Sequence, residues 1–267
     1  MQRMVLSGTE NGSEHLVGER MRGDMRHDDD VFGRALLEWA KGGTTPEVLE
    51  REDGFTQIGA GPEVYLSEFR DWPSAERTSM RYLRGRVIDV GCGAGRVALD
   101  LQNRGVEVVG LDASPLAVTA AKLRGVKEVW CLPVEELASK IRDFDSIVLF
   151  GNNFGIFETP ERAHQILTDL AGSTKPDAQI FVESTSAYGG GAPGFDRSYY
   201  RRNKVRGLAP GQSRLRFRYD NLIGPWFNWL YVSRREMQLI LRGTGWHQRV
   251  VLGTRPSEPY VAILEKD

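Results

Sequence analysis

Hydrophobic residues along the chain follow two alternating patterns, which together predict an α/β protein. Short apolar runs of strand length lie at 86–90, 107–111, 128–132, 144–150, 179–185, 247–252 and 260–264. Segments with apolar residues at helical spacing lie between or beside these runs, at 73–83, 97–105, 115–123, 160–170 and 234–242. A strand, a helix and a second strand in this order form a parallel unit, in which both strands end at the same edge of the sheet.

The first of these units carries three closely spaced glycines and two acids. Asp89 lies in the first strand, Gly91, Gly93 and Gly95 follow it, and Asp112 ends the second strand. Glycines at alternate positions let the backbone turn sharply and let a ligand approach, because no Cβ is in the way. The N–H groups of such a loop suit a polar or anionic group, and Asp112 can accept two hydrogen bonds from a ribose diol. The unit therefore predicts a site for a nucleoside-containing cofactor.

Two families of cofactor-binding proteins have a glycine loop followed by an acid at the end of the next strand. Arg96 distinguishes between them. A dinucleotide-binding loop has glycine at the sixth position of Gly-x-Gly-x-x-Gly, where Arg96 would crowd the packing of helix on strand. The acid and glycines from Asp89 to Gly95, with Asp112 after the next strand, resemble motif I of class I S-adenosylmethionine-dependent methyltransferases. The alternative enzyme class is a nicotinamide-dependent oxidoreductase. Two further alternatives have no methyltransferase activity: a glycine-rich turn in another α/β protein, and a binding module that has kept the methyltransferase fold.

The resemblance covers residues 73–185 strongly and 233–265 in outline. It implies a Rossmann-like, seven-stranded mixed sheet whose last strand is antiparallel, with helices on both faces. It also implies an S-adenosyl-L-methionine cofactor held by Tyr65, Asp89, Gly91, Cys92, Gly93, Arg96, Asp112, Ala113, Ser114, Pro133, Val134, Glu135, Gly151 and Asn152. Methyl transfer from a sulfonium requires mainly positioning and exclusion of water, so no catalytic residue is assigned.

Two loops after strands carry the family's remaining site features. Pro133 replaces an acid often found after strand three, so a backbone N–H of Val134 and a carboxylate of Glu135 or Glu136 are the candidates to hold adenine. The equal alternative is a helix N-terminus with favourable acids. The segment after strand four, Gly151 to Phe157, resembles the part that lines the methyl-transfer site, and the absence of Asn-Pro-Pro-Tyr argues against amino methylation of nucleobases or glutamine. The candidate substrate-binding residues are Asn153, Phe154, Tyr188, Tyr219 and Trp226, with core packing as the alternative for the aromatic ones.

The flanking segments predict a domain organisation around this centre. Residues 1–27 are polar and without period, which predicts a disordered tail, and 28–72 predict an N-terminal helical cap. This cap comprises a helix over 31–41, started by acids at its N-terminus, and a second short helix near Pro46 that carries Val48 and Leu49. The methyltransferase domain then extends over 73–267, with a substrate-covering insertion at 186–232. The insertion begins with a long loop to residue 212 and ends in a β-hairpin.

A basic segment within the insertion leaves the class of acceptor open. From Arg197 to Arg218 there are eight basic residues and no acid, with aromatic residues between them. This pattern suits a nucleic acid, a small acceptor that carries phosphate or carboxylate, or a solvated loop. The net charge of −1 gives no electrostatic support for a polyanion, so a small-molecule acceptor is favoured and an RNA methyltransferase is the alternative.

The composition argues against several other classes of protein, namely metal-binding, disulfide-rich and membrane-spanning ones. The chain has 267 residues, of which 40% are hydrophobic and 27% charged, as in ordinary globular proteins. Its two cysteines and four histidines do not have the spacing of a metal site, so we expect no metal. The two cysteines also do not form a disulfide framework, so we expect a cytoplasmic location. No apolar run has membrane-spanning length. The oligomeric state does not follow from the sequence.

Overall fold

A computed structural model gives the structure of residues 29–188, 197–253, 255 and 258–267. The predicted tail over 1–27 lies outside the described residues. The described part of the chain forms a seven-stranded mixed sheet and a five-stranded antiparallel sheet. The larger sheet is the predicted one, and the smaller sheet was predicted only as a hairpin.

The larger sheet has the order β11-β12-β7-β6-β3-β4-β5. Its strands are β3 (Val87–Val90), β4 (Val108–Asp112), β5 (Val129–Cys131), β6 (Ser146–Leu149), β7 (Gln179–Ser184), β11 (Trp246–Leu252) and β12 (Tyr260–Lys266). Strands β3, β4, β5, β6 and β7 pair with one another in parallel. Strand β12 runs antiparallel to both of its neighbours, β7 and β11. This confirms the predicted Rossmann-like sheet with an antiparallel last strand.

Helices cover both faces of this sheet. They are α3 (Ser74–Ser79), α4 (Arg96–Asn103), α5 (Pro115–Leu123), α6 (Pro160–Ser173) and α8 (Arg234–Leu241). Side chains of one strand alternate between the two faces, so Ile88 packs in the cluster under α6 and α8 while its neighbour Val87 packs in the cluster under α3 and α4. All four residues of β3 are buried, as expected for a central parallel strand.

The smaller sheet joins the segment that precedes the larger sheet to the segment inserted between β7 and β11. Its strands are β1 (Val48–Arg51), β2 (Thr56–Ile58), β8 (Gln212–Tyr219), β9 (Leu222–Ile223) and β10 (Phe227–Leu230). The predicted hairpin is confirmed by the pairing of β10 with β8. The predicted helix near Pro46 is wrong, because residues 48–51 pair as a strand with residues 215–218 of β8. A partner so distant in the sequence overrides local propensity and leaves no local signal.

The predicted long loop over 186–212 contains a helix. This helix is α7 (Arg197–Val205), and its buried Asn203 donates hydrogen bonds to the carbonyls of Pro210 and Gln212 at 3.0 and 2.8 Å. The Arg51 guanidinium lies 3.9 Å from the ring centre of the buried Tyr199. Contacts with β1 and with the start of β8 therefore hold a segment whose sequence indicated only a basic loop.

The helix predicted over 31–41 is observed as α1 (Val31–Ala40), with Asp30 as its N-cap. It packs against α5 and β8, and thus lies between the two sheets. A short helix, α2 (Pro62–Tyr65), and short 3₁₀ segments at Phe69–Asp71, Met80–Tyr82, Val134–Ser139 and Asn153–Phe157 complete the described elements. No helix in the described ranges combines the length and the apolar character that crossing a membrane requires.

Candidate functional site

A cleft of about 870 Å³ lies between the two sheets. Its floor is the edge of the larger sheet where β3, β4, β5 and β6 end, and its roof is one face of the smaller sheet together with α1 and α2. Ligands of open α/β sheets bind at this edge, since the loops after the parallel strands open there. The cleft is therefore the candidate functional site.

The glycine loop forms the centre of the floor. Gly91, Gly93 and Gly95 have φ angles of 70°, 54° and 79°, which residues with a Cβ rarely adopt. The N–H groups of Gly91 and Cys92 donate to the carbonyl of Leu111 at 2.7 and 3.0 Å, so the loop is fixed to the end of β4. The buried Cys92 points its thiol under the loop, where it would collide with a Cβ at Gly110.

Asp112 lies beside the loop at the end of β4. Its carboxylate accepts hydrogen bonds from the backbone N–H groups of Gly93 and Ser114 at 2.8 and 2.9 Å. Burial raises the pKa of Asp112 to about 6. A carboxylate has four lone pairs, so Asp112 can still accept a hydrogen bond from a ligand in the cleft.

Asp89 lies under the loop and is almost fully buried. Its Oδ2 accepts a hydrogen bond from the N–H of Ala98 at 3.1 Å, which fixes the first turn of α4 against β3. Burial raises the pKa of Asp89 to about 7, although the nearby guanidinium of Arg96 opposes this shift. Asp89 also lines the cleft, and thus contributes to both the structure of the loop and the polarity of the floor.

Arg96 belongs to a buried network that the sequence did not indicate. Its guanidinium donates to both carboxylate oxygens of Glu76 at 2.7 and 3.0 Å and lies 4.6 Å from the ring centre of Trp72. Glu183 hydrogen-bonds to Glu76, and its Oε2 accepts from the N–H of Gly151 at 2.6 Å. Burial and the charge of Glu76 raise the pKa of Glu183 well above its usual value, so Glu183 carries the proton that the carboxyl pair shares. The network connects the glycine loop to the segment after β6.

The loop after β5 lines one end of the cleft. Pro133, Val134 and Glu135 all face it, and Val134 begins a 3₁₀ segment. Glu135 forms an ion pair with Arg162, which also binds Glu158 at 2.7 Å. These residues both line the cleft and begin a short helix, so the structure is compatible with both interpretations of the loop, a cofactor contact and a favourable helix N-terminus.

The segment after β6 lines the middle of the cleft. Asn152 has a left-handed backbone with φ 63°, and its side-chain oxygen accepts a hydrogen bond from Thr185. The amide of Asn153 donates to the carbonyls of Val90 and Gly91 at 3.0 Å each, so it holds the glycine loop. A Cβ at Gly151 would meet no atom within 4 Å, which shows that the backbone here faces open space.

Aromatic rings form the roof. Phe32 stacks on Phe217 with ring centres 4.3 Å apart, and Phe217 stacks on Phe227 at 5.3 Å. Tyr65 contacts Phe32 edge to face at 5.1 Å and stacks on Trp39 at 5.5 Å. Burial, and then the charge of Glu47, raise the pKa of Tyr65, so its hydroxyl stays protonated and donates a hydrogen bond to the Glu47 carboxylate.

Most of the predicted site residues line this one cleft. Those that do are Tyr65, Asp89, Gly91, Cys92, Gly93, Arg96, Asp112, Ala113, Pro133, Val134, Glu135, Gly151, Asn152, Asn153 and Trp226. The roof residues Phe32, Glu47, Phe227 and Tyr231 were not predicted from the sequence. The aromatic content of 226–231 was a usable signal, whereas nothing in the sequence placed Glu47 near the floor.

Four predicted residues lie away from the cleft, each for a physical reason. Ser114 is the N-cap of α5, where its hydroxyl accepts from the N–H of Ala117. Phe154 is fully buried and packs edge to face on Phe157 in the core. Tyr188 is 43% exposed and donates to Glu236 at 2.9 Å. Tyr219 is buried against Trp39.

Acids from β1 and the turn after it pair with four of the eight basic residues of the basic segment. Glu50 accepts from both Arg216 and Arg218, at 2.8 and 3.3 Å. Glu52 pairs with Arg206, and Asp53 pairs with Arg202 at 3.0 Å. These four arginines do not line the cleft, in which Arg96 is the only Arg or Lys among the described residues. These four arginines therefore bind β1 and the turn after it.

Comparison with known proteins finds a domain match for the residues that form the floor of the cleft. Residues 87–177 match the family model described as a methyltransferase domain. The ubiquinone biosynthesis O-methyltransferase of Rhizobium etli (strain CIAT 652) is 33% identical over 129 residues, which is 45% of this chain and 50% of that protein. The enzyme of the same name from Dechloromonas aromatica (strain RCB) is 31% identical over 105 residues, 37% of this chain and 44% of that protein. The chain thus spans at most half the length of these curated relatives.

Solved structures share the fold over a larger part of the chain. A SAM-dependent methyltransferase from Bacteroides fragilis, in complex with S-adenosyl-L-homocysteine, is similar with a TM-score of 0.76 at 23% identity, over 90% of this chain and 96% of that chain. A SAM-dependent methyltransferase from Methanosarcina mazei is similar with a TM-score of 0.55 at 19% identity, over 71% and 96% of the two chains. At these identities the likeness establishes the fold.

Proposed function

We propose that this chain, whose residues 87–177 match a methyltransferase domain, is a class I S-adenosylmethionine-dependent methyltransferase that transfers a methyl group from S-adenosyl-L-methionine to a small-molecule acceptor. The observation that carries the proposal is the position of Asp112 and the glycine loop on the floor of a cleft that a second, aromatic sheet covers. The names of the curated relatives and the ligand in the Bacteroides fragilis structure support the same reaction class.

The floor of the cleft fits this cofactor in its donors, acceptors and space. Asp112 retains acceptor capacity for a ribose hydroxyl, and a Cβ at Gly93 would meet only the Leu36 side chain, at 3.6 Å or more. Asp89 and the open backbone at Gly151 face the same space. We assign the ribose to Asp112, the adenine to the loop of Pro133, Val134 and Glu135, and the methionine part to the region around Asp89 and Asn152.

The residues of this chain act mainly by positioning. The cofactor, when bound, supplies the activated methyl group. Asn153 holds the glycine loop through Val90 and Gly91, and the network of Arg96, Glu76 and Glu183 fixes Gly151 against the same floor. The aromatic roof excludes water from the cleft, and a fixed, dry geometry is the largest contribution a protein can make to a displacement of this kind. A general base is needed only for an acceptor that arrives protonated.

A small acceptor suits the enclosure of the cleft. The roof comes from the predicted cap over 28–72 and the predicted insertion over 186–232, which together form the acceptor-binding part on the frame of 73–267. Four of the eight basic residues of the segment pair with Glu50, Glu52 and Asp53, so these four guanidinium groups are engaged with β1 and the turn after it rather than free to bind phosphates. A cytoplasmic location belongs to this proposal and is supported by the two free cysteines.

Calorimetric titration with S-adenosyl-L-methionine, S-adenosyl-L-homocysteine and NADH tests the proposal. We expect micromolar binding of the first two and no binding of NADH. Binding of NADH alone would contradict the proposal and favour the oxidoreductase. Binding of none of the three would favour a module that has kept the fold without the cofactor.

A further inference from the structure

The roof of the cleft contains a buried carboxylate, that of Glu47, for which the described residues provide no cation. We propose that the acceptor carries an ammonium group, that Glu47 binds this group, and that the surrounding aromatic rings enclose the apolar part of the acceptor. This inference rests on the proposed methyl transfer and adds the chemical class of the acceptor.

The fold holds the Glu47 side chain in one place. Glu47 is 1% exposed, and its Oε2 accepts a hydrogen bond from the N–H of Gly61 at 3.1 Å. The hydroxyl of Tyr65 donates a second hydrogen bond to the carboxylate. A Cβ at Gly59 would come within 1.9 Å of Oε1, so the absence of a side chain at Gly59 makes room for the carboxylate. A carboxylate this closely surrounded has a defined orientation toward the cleft that it lines.

The charge of Glu47 has no protein partner in the described part of the chain. No Arg, Lys or His of the described residues lies within ion-pair distance of it, whereas Glu135 and Glu158 both pair with Arg162. Arg96, the only Arg or Lys among the described residues lining the cleft, is already bound by Glu76. A buried carboxylate is costly unless a cation or several hydrogen bonds compensate it. An ammonium group of a ligand would supply the missing charge.

The rings around Glu47 suit the same group. Tyr65 contacts the carboxylate directly, and Phe32, Phe217, Phe227 and Trp229 continue the wall in successive ring contacts of 4.3 to 6.1 Å. The faces of aromatic rings attract cations, and rings combined with a carboxylate are the usual surroundings of bound ammonium groups. The same rings disfavour an acceptor that carries phosphate or carboxylate, because such an anion would lie in an apolar chamber near an unpaired negative charge.

Three probes of one shape and different charge test the inference. Phenethylamine is cationic at neutral pH, 2-phenylethanol is neutral, and phenylacetate is anionic. Each is titrated into the full chain saturated with S-adenosyl-L-homocysteine, using the wild type, Glu47→Gln and Glu63→Gln. Glutamine at position 47 can keep the hydrogen bonds to Gly61 and Tyr65 but lacks the charge, while Glu63 is an exposed glutamate of α2 and is the matched control.

We expect phenethylamine to bind at least tenfold more tightly than 2-phenylethanol, and phenylacetate to bind most weakly. Glu47→Gln should remove the preference for the amine by tenfold or more, and leave the affinities for 2-phenylethanol and S-adenosyl-L-homocysteine unchanged. Equal binding of amine and alcohol, binding of none of the probes, or an unchanged preference in Glu47→Gln would overturn the inference. Loss of S-adenosyl-L-homocysteine binding in Glu47→Gln would also overturn it, since Glu47 would then bind the cofactor. Failure of the wild type to bind S-adenosyl-L-homocysteine would instead reject the proposed function.

Discussion

Oδ2 of Asp30 accepts a hydrogen bond from the hydroxyl of Ser114 at 2.7 Å, although the two residues are 84 positions apart. The same carboxylate oxygen accepts from the N–H of Leu116 at 3.1 Å, and Oδ1 accepts from the N–H of Gly33. One buried aspartate thus caps both α1, which covers the cleft, and α5, which starts just after Asp112. Ser114, predicted as a cofactor contact, serves this junction between the roof and the floor.

Replacing Asp30 with alanine should destabilise the protein by about 2–3 kcal/mol, because it removes caps from two helices and leaves buried donors without acceptors. Urea unfolding followed by circular dichroism measures this change. Asp29→Ala is the control, since the side chain of Asp29 caps neither helix, and it should change the free energy of unfolding by less than about 0.5 kcal/mol. Equal effects of the two substitutions would show that the junction contributes nothing specific.

Asp112→Ala should weaken the binding of S-adenosyl-L-homocysteine by roughly 10- to 100-fold, the effect expected for losing hydrogen bonds to a charged acceptor. Calorimetry gives the affinity, and a thermal unfolding curve shows whether the variant is folded. Asp112→Asn is the companion variant, because its amide oxygen can still accept one hydrogen bond and its loss should be smaller. An unchanged affinity in Asp112→Ala would reject the assignment of the ribose to this residue.

Asp89 should make the stability of the ligand-free protein fall as the pH rises. Its pKa is raised by burial from 3.8 to about 7, so between these values the folded state holds a proton that the unfolded state has released. Folding therefore binds a proton through this group, and its contribution to stability decreases as the pH rises from about 4 to about 7.

The pH dependence is read from the difference between two proteins, because other groups titrate in the same range; Asp112, whose pKa is raised by burial to about 6, acts in the same direction as Asp89. Relative to the wild type, Asp89→Asn should become more stable by at least about 1 kcal/mol between pH 5 and pH 8, since asparagine avoids the buried charge. Urea unfolding at both pH values measures this difference. A difference that is constant or shrinks with rising pH would contradict a raised pKa of Asp89.

Local sequence was sufficient for the floor of the cleft and not for its roof. The floor is made of successive strands and loops, so Asp89, the glycines and Asp112 come together from a short range of sequence. The roof depends on the pairing of residues 48–51 with residues 215–218, and pairing at such a distance leaves no periodic signal. The charges of the two strands are consistent with this pairing once it is known, because Glu50 in β1 forms an ion pair with Arg216 in β8. From the sequence alone, the arginines indicated only a basic segment.

The contact between Gly155 and Trp229 allows a test of whether a change in the roof alters turnover while the affinity for the cofactor stays the same. A Cβ at Gly155 would lie 2.1 Å from the indole ring of Trp229, so Gly155→Ala must displace this ring from the cleft wall. Overpacking of this kind costs about 1–3 kcal/mol. We expect reduced turnover of the acceptor, with the affinity for S-adenosyl-L-homocysteine within about twofold of the wild type, because the cofactor residues after β3 and β4 do not move.

Gly172→Ala is the matched control for this substitution. Gly172 lies in α6, is exposed, and a Cβ there would meet no atom within 4 Å. Alanine in a helix should stabilise the protein by about 0.5–1 kcal/mol and leave turnover unchanged. Turnover is measured as the release of S-adenosyl-L-homocysteine with an amine acceptor, and affinity by calorimetry. A loss of cofactor affinity in Gly155→Ala that equals its loss of turnover would show that roof and floor do not act separately, because displacing Trp229 would then disturb the floor as well.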